Sequence, residues 1–223
     1  MKKSENMQIG KEDISQIQNA VKTHKPVEFS CYTLTSAQKK RFTEILAVFL
    51  DACNQSHLYN CLSYCLLELL DNASKANAKR IYFQENKLDI NNEADYKKGM
   101  EKFKTNLSDN SRHYIEELEN GILKVDLQLS IDNVICLQVS NNTEITEIEY
   151  KRINEKIAKT KKYANLEEAF GDIDQTEGSG LGIISIAIML KRMGLNTDNL
   201  SFKIEKTNTV ATIRIPVNSF IEL

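Results

Sequence analysis

The chain has 223 residues, 41% of them apolar, with 2 prolines, 8 glycines and no tryptophan, which provides for one substantial core and excludes a low-complexity or collagen-like protein. Its 29 basic and 31 acidic residues leave a formal charge of -2, so no overall field points to nucleic acid or to an anionic membrane surface. Any phosphate chemistry must therefore be local.

Residues 1 to about 24 are polar, with Ile14, Ile17 and Val21 at helical spacing, which predicts a peripheral helix. After Pro26 the run VEFSCYTL alternates as a strand does. Thr35 with Gln38 three residues on forms a capping box that opens a helix to about Asn54, whose apolar stripe is Phe42, Ile45, Leu46, Phe49 and Leu50. The five cysteines, Cys31, Cys53, Cys61, Cys65 and Cys136, are odd in number and form no C-x-x-C pair, which fits a reduced, cytoplasmic protein. The N-terminus has no apolar run, and no stretch of about 18 apolar residues occurs, so neither export nor membrane insertion is expected.

The stretch Leu58 to Ala76 organises the rest. At about 100° per residue, Leu62, Cys65, Leu66, Leu69, Leu70, Ala73 and Ala76 share one broad side, which belongs in a core. Glu68, Asp71, Asn72 and Lys75 crowd the opposite side, where carboxylate, amide oxygen and ammonium could converge on one ligand. A wet outer face would explain the same pattern.

KRIYFQE then reads as a strand leaving that helix, and residues 91 to 120 as a charged helical excursion in which Tyr96, Met100 and Phe103 keep helical spacing. The alternation Leu123, Val125, Leu127, Leu129, Ile131 is a strand, separated from VICLQVS by Asp132-Asn133 as in a two-residue hairpin. Thr146 and Glu149 make a second capping box and open a lysine-rich helix suited to a lid. GSGLG at 178 to 182 runs directly into an apolar helix that ends at Gly194, and LSFKIEK, a Thr207-Asn208 turn and TVATIRIPV form a closing hairpin.

A glycine run at a helix start gathers free backbone N-H groups at the positive end of the helix dipole, an arrangement that binds phosphate. Here Ile183 and Ile184 stand where a Walker loop needs Lys-Ser/Thr, and no strand precedes the run as in a dinucleotide fingerprint. By itself a plain loop would explain it.

The order of these segments is more specific: an E-x-x-x-N-A-x-K helix, a strand ending at VSNNTEI, a helical lid, an EAF segment, GSGLG before a buried helix, and a final hairpin ending in IRIP. In this order the chain resembles the ATP-binding domain of the GHKL superfamily, shared by gyrase, heat-shock chaperones, mismatch-repair ATPases and histidine kinases, and most resembles the histidine-kinase branch. The resemblance covers roughly residues 58 to 217. It implies an α+β, two-layer α/β sandwich of the histidine-kinase-like ATPase (Bergerat) fold, with a mixed, mostly antiparallel sheet covered on one face by helices. Residues 58–223 would be the ATP-binding domain, with its insertion at about 91–120, and residues 1–57 an extension packed on it.

The resemblance also implies roles. Asn72 matches the asparagine that binds Mg²⁺ while the ion bridges the ATP phosphates, and Glu68 matches the acid that positions or deprotonates the attacking group. Lys75 matches a basic position facing phosphate. Gly178, Ser179, Gly180, Leu181 and Gly182 match the second glycine box, whose amides hold the phosphates, and Thr209 matches the threonine beside adenine. The lid would span 146 to 177, with Phe170 as the aromatic of the family's F box.

Two departures stand out. Where the family has an aspartate that accepts from the adenine amino group and then two glycines, this chain has Asn141, Thr143 and Ile145. An asparagine oxygen can still accept that bond, though the backbone there is stiffer; a strand end with turn residues is the competing reading. His24, His57 and His113 also lack the sequence pattern of a histidine-kinase acceptor helix.

The expectation is therefore a soluble Mg-ATP phosphotransferase acting on a separate regulatory or phosphoacceptor protein. The other reading is a switch module in which nucleotide orders the lid without turnover. Too little chain follows Pro216 for the transducer of a mechanical ATPase. No nucleic-acid partner is expected, and a homodimer is left open.

Overall fold

A computed structural model describes residues 9–160 and 181–217. In chain order the described elements are α1 (Lys11–Thr23), β1 (Val27–Cys31), α2 (Ser36–Ala52), α3 (Tyr59–Glu85), α4 (Glu93–Asp109), α5 (Ser111–Asn120), β2 (Val125–Ile131), β3 (Val134–Asn141), α6 (Glu147–Thr160), α7 (Leu181–Arg192), β4 (Leu200–Glu205) and β5 (Asn208–Pro216).

The strands form one open sheet in the order β1-β2-β3-β5-β4, and every pairing is antiparallel. Along β3, Ile135, Leu137, Val139 and Asn141 are buried while the residues between them are half-exposed. One sheet face is thus covered and the other is polar, the pattern of a two-layer α+β sandwich. Phe42 and Phe49 of α2, Leu62 and Leu66 of α3, and Ile186 of α7 fill the space above Leu127, Leu137 and Ile213. β1 is an edge strand of this same sheet, with Val27 opposite Leu129, and Ile17 of α1 is fully buried in the same core.

Local chemistry sets the element ends. The Gln38 N-H donates to Thr35 Oγ1 at 3.2 Å and starts α2, and Asn54 just beyond its end takes a left-handed backbone, φ 57. At α6 the box is reciprocal: Glu149 N-H donates to Thr146 Oγ1 at 3.2 Å, and Thr146 N-H donates to Glu149 Oε2 at 3.1 Å. The β2–β3 hairpin turns on Asp132-Asn133 as its sequence requires. The last hairpin turns one residue earlier than the sequence reading, on Lys206-Thr207, because Lys206 takes the left-handed conformation (φ 59) and Asn208 already pairs with Glu205.

The segment read as a strand, KRIYFQE, is instead the last two turns of α3, which runs for 27 residues, about 40 Å. Its aromatic residues bury against the inserted helices rather than joining the sheet. Ala78, Tyr82 and Phe83 pack with Tyr96, Met100 and Phe103 of α4 and Tyr114 of α5 in a cluster separate from the main core. The approach is close enough that a β-carbon at Gly99 would stand 2.5 Å from the Phe83 ring. The glycine therefore sets the distance between α4 and α3.

Candidate functional site

The polar side of α3 faces the start of α7 across a cavity of 490 Å³, a size that suits a nucleotide-sized ligand. Glu68, Asn72 and Lys75 line it from α3, Gly182 from α7, and Asn141 and Thr209 from the sheet. A β-carbon at Gly182 would lie 2.5 Å from Glu68 Oε2 and 3.6 Å from Asn72 Nδ2, so glycine allows the first turn of α7 to press onto these two side chains. Asn72 Nδ2 is buried without a hydrogen-bond partner among the described residues. Asp71, also on the polar side of α3, is instead held by Lys39 at 2.6 Å.

The sheet supplies the floor. Asn141 and Thr209 are directly opposite in the β3–β5 register, and Asn141 is buried. Asn141 Nδ2 donates to Asn77 Oδ1 at 3.2 Å and to Thr143 Oγ1 at 2.5 Å. The hydroxyl of Thr209 donates to the Thr143 carbonyl at 2.7 Å, and its N-H reaches the same oxygen at 3.2 Å. Thr143 thus has a task that a glycine at its position could not perform, because its hydroxyl accepts from Asn141.

The rim is basic. Lys75, Lys79 and Arg80 of α3, Lys104 of α4, and Arg152 and Lys156 of α6 line the cavity against two acids, Glu68 and Glu149. Glu149 is bound by Lys79 at 2.9 Å and by both guanidinium nitrogens of Arg80 at 3.1 and 2.6 Å. Burial alone would push its carboxyl up, but these two cations outweigh that cost and hold it well below the usual carboxylate range. The Arg152 guanidinium lies 5.0 Å over the Tyr96 ring, which ties α6 to α4 as well. After the ion pairs to Glu149 are counted, Lys75 and Lys104 still make no ion pair among the described residues.

This arrangement can hold an anion between cations on three helices while offering acceptors at its floor. Among the described residues no group of three His, Cys, Asp or Glu could hold a metal ion by itself. The Asn72 carboxamide carries a hard oxygen that could complete the shell of a Mg²⁺ already carrying phosphate oxygens, with the Glu68 carboxylate one turn away. Thiol chemistry is not offered by the buried Cys65 and Cys31 or the half-buried Cys53: desolvation pushes Cys65 up to about 12 and Cys31 and Cys53 to about 11, so all three stay protonated.

Six residues picked from sequence therefore share one cavity: Glu68, Asn72, Lys75, Asn141, Gly182 and Thr209. Gly178, Ser179 and Gly180 lie outside the described residues, as do Phe170 and the lid beyond Thr160; Leu181 is the first residue of α7. Sequence reading missed Asn77, Lys79, Arg80, Lys104 and Glu149. Asn77 carried a signal, an amide five residues after Asn72 on the side of α3 that turns to the sheet. The pairing of Glu149 with Lys79 and Arg80 spans about 70 residues and had none.

The chain is similar to an uncharacterized protein of Treponema pallidum (strain Nichols), 35% identical over 213 residues, which are 94% of this chain and 41% of that protein. It spans about two fifths of the length of that relative. No family model matches the chain. No solved structure matches it. Among the described residues, no helix is long and apolar enough to cross a membrane.

Proposed function

We propose that this protein binds Mg-ATP in the α3–α7 cavity, as a histidine-kinase-like member of the GHKL superfamily, and passes the γ-phosphoryl group to a side chain of a partner protein. The observation that carries this reading is convergence: residues picked from distant segments for ATP roles line a single cavity whose other described walls are apolar, with a basic rim from Lys79, Arg80, Lys104, Arg152 and Lys156. An unrelated fold with a similar helix would have no reason to bring Asn72, Gly182 and Thr209 together.

In this reading Asn72 would hold Mg²⁺, which would supply neutralisation of phosphate charge, and Glu68 stands one turn away. Lys75 and the basic rim hold the remaining phosphate oxygens, and the packing of Gly182 on Glu68 fixes the carboxylate against the ligand. Glu68 accepts the proton of the attacking side chain as its oxygen bonds to phosphorus and the bond to the β–γ bridging oxygen breaks, leaving ADP. Catalysis rests mainly on positioning and charge neutralisation. Calorimetric titration with Mg-ATP tests the binding step, with Asn72→Ala expected to weaken it at least tenfold. Transfer of label from γ-labelled ATP to a partner tests the second step.

A second reading is favoured by Thr143 and Ile145, which stand where the family has glycines: nucleotide would be held without turnover and would signal through the α6 side of the cavity. Binding of ATP without transfer to any partner would select this switch over the kinase.

A further inference from the structure

An asparagine amide is nearly symmetrical in shape, but one half donates and the other accepts. Which half a ligand meets is decided by what holds the other half. For Asn141 the deciding group is Asn77, which is 1% exposed and lies in α3 directly behind the cavity floor. Asn77 Nδ2 donates to the backbone carbonyl of Lys124 at 3.1 Å. A carbonyl can only accept, so the orientation of Asn77 is set by the main chain. Its Oδ1 is then the half left to face Asn141 Nδ2 at 3.2 Å and the Thr143 hydroxyl at 3.4 Å.

The donors of the floor are thereby consumed inward. Asn141 Nδ2 is spent on Asn77 and Thr143, the Thr143 hydroxyl on Asn77, and the Thr209 hydroxyl on the Thr143 carbonyl. What remains toward the ligand is the Asn141 oxygen, an acceptor.

We infer that Asn77 is a positioning residue that locks Asn141 as an acceptor, and that the ligand must bring an amino donor to it: a 6-aminopurine is taken and a 6-oxopurine refused. This rests on the nucleotide reading above. An aspartate at position 141 would accept through either oxygen and need no lock; an asparagine needs one. A 6-oxopurine would set its carbonyl oxygen against the Asn141 oxygen, leaving two acceptors facing each other in a buried place.

The test is titration calorimetry of the full chain in Mg²⁺ with ATP and with inosine triphosphate, which differ at that position. The unaltered protein should bind ATP about tenfold or more tightly than inosine triphosphate, the cost of one buried unpaired polar group. In Asn77→Ala, and in Asn77→Ser should the alanine variant not fold, the Asn141 amide is free to turn and the ratio should fall toward one. Adding Asn141→Asp to Asn77→Ala should restore the preference for ATP, because a carboxylate has no donor half to present. A purely structural Asn77 would weaken both nucleotides by the same factor, with no rescue, and that result overturns the proposal. Equal binding of both nucleotides by the unaltered protein overturns it while leaving the nucleotide site standing; binding of neither overturns both.

Discussion

Gly182 of α7 sits so close to Glu68 of α3 that its missing side chain is part of the site: a β-carbon there would be 2.5 Å from Glu68 Oε2. The atom in the way is the far end of a flexible side chain, so Gly182→Ala should cost little stability, about 1 kcal/mol, while displacing the carboxylate from the cavity. Mg-ATP affinity should fall about tenfold, and a Glu68→Ala, Gly182→Ala double variant should melt at the temperature of Glu68→Ala alone. Thermal melts beside calorimetry separate the two effects.

Glu149 joins α6 to α3 as a buried carboxylate held by two half-buried cations, Lys79 and Arg80. Glu149→Gln should destabilise by about 3 kcal/mol, since the half-buried Lys79 and Arg80 lose the carboxylate that neutralises them. The pH dependence follows from the lowered carboxyl. Its contribution is fully present above the unfolded glutamate value of about 4.3 and is lost as pH falls toward the folded one. Urea melts between pH 6 and 3 should show stability falling with acid more steeply in the parent than in Glu149→Gln.

The cluster under α4 and α5 is separate from the main core, so its loss should be felt locally. Phe83→Ala removes a ring that packs on Gly99 and lies 5.9 Å from that of Tyr96, and should cost about 3 kcal/mol. Hydrogen exchange should accelerate across residues 93–120 well before it does in β2 and β3. Uniform acceleration would mean that the two clusters unfold as one.

The thiols give a check independent of any ligand. Cys31 and Cys65 are buried and protonated, and the cysteines are free, so at pH 8 a thiol reagent should label these two only as the chain unfolds. Fast labelling of Cys65 in the native protein would contradict the packing of α3 on the sheet.

Lys75 and Lys104 on the cavity rim make no ion pair among the described residues. Lys75→Ala and Lys104→Ala should each lower Mg-ATP affinity several-fold, and less so at high salt, with melting temperatures almost unchanged, because exposed lysines contribute little to stability. Adenosine, which carries no phosphate, should bind the variants and the parent alike.

What the sequence by itself determined was periodic or local. Apolar spacing placed α2 and the first half of α3, the Thr35 and Thr146 boxes placed two helix starts, and the alternation on either side of Asp132-Asn133 placed β2 and β3, because each of these signals acts over a few residues. The polar side of α3 was legible for the same reason, as was the glycine in the first turn of α7. Tertiary structure decided the rest. KRIYFQE alternates well enough for a strand, and it became helix because Tyr82 and Phe83 found α4, a partner supplied later in the chain. Asn77 looks like any helical amide until Lys124 and Asn141 close around it, and Glu149 looks like a cap until Lys79 and Arg80 reach it. Hydrogen bonds and ion pairs between segments 47 to 70 residues apart leave no mark in local spacing, and it is these that give the cavity its acceptor floor and its basic rim.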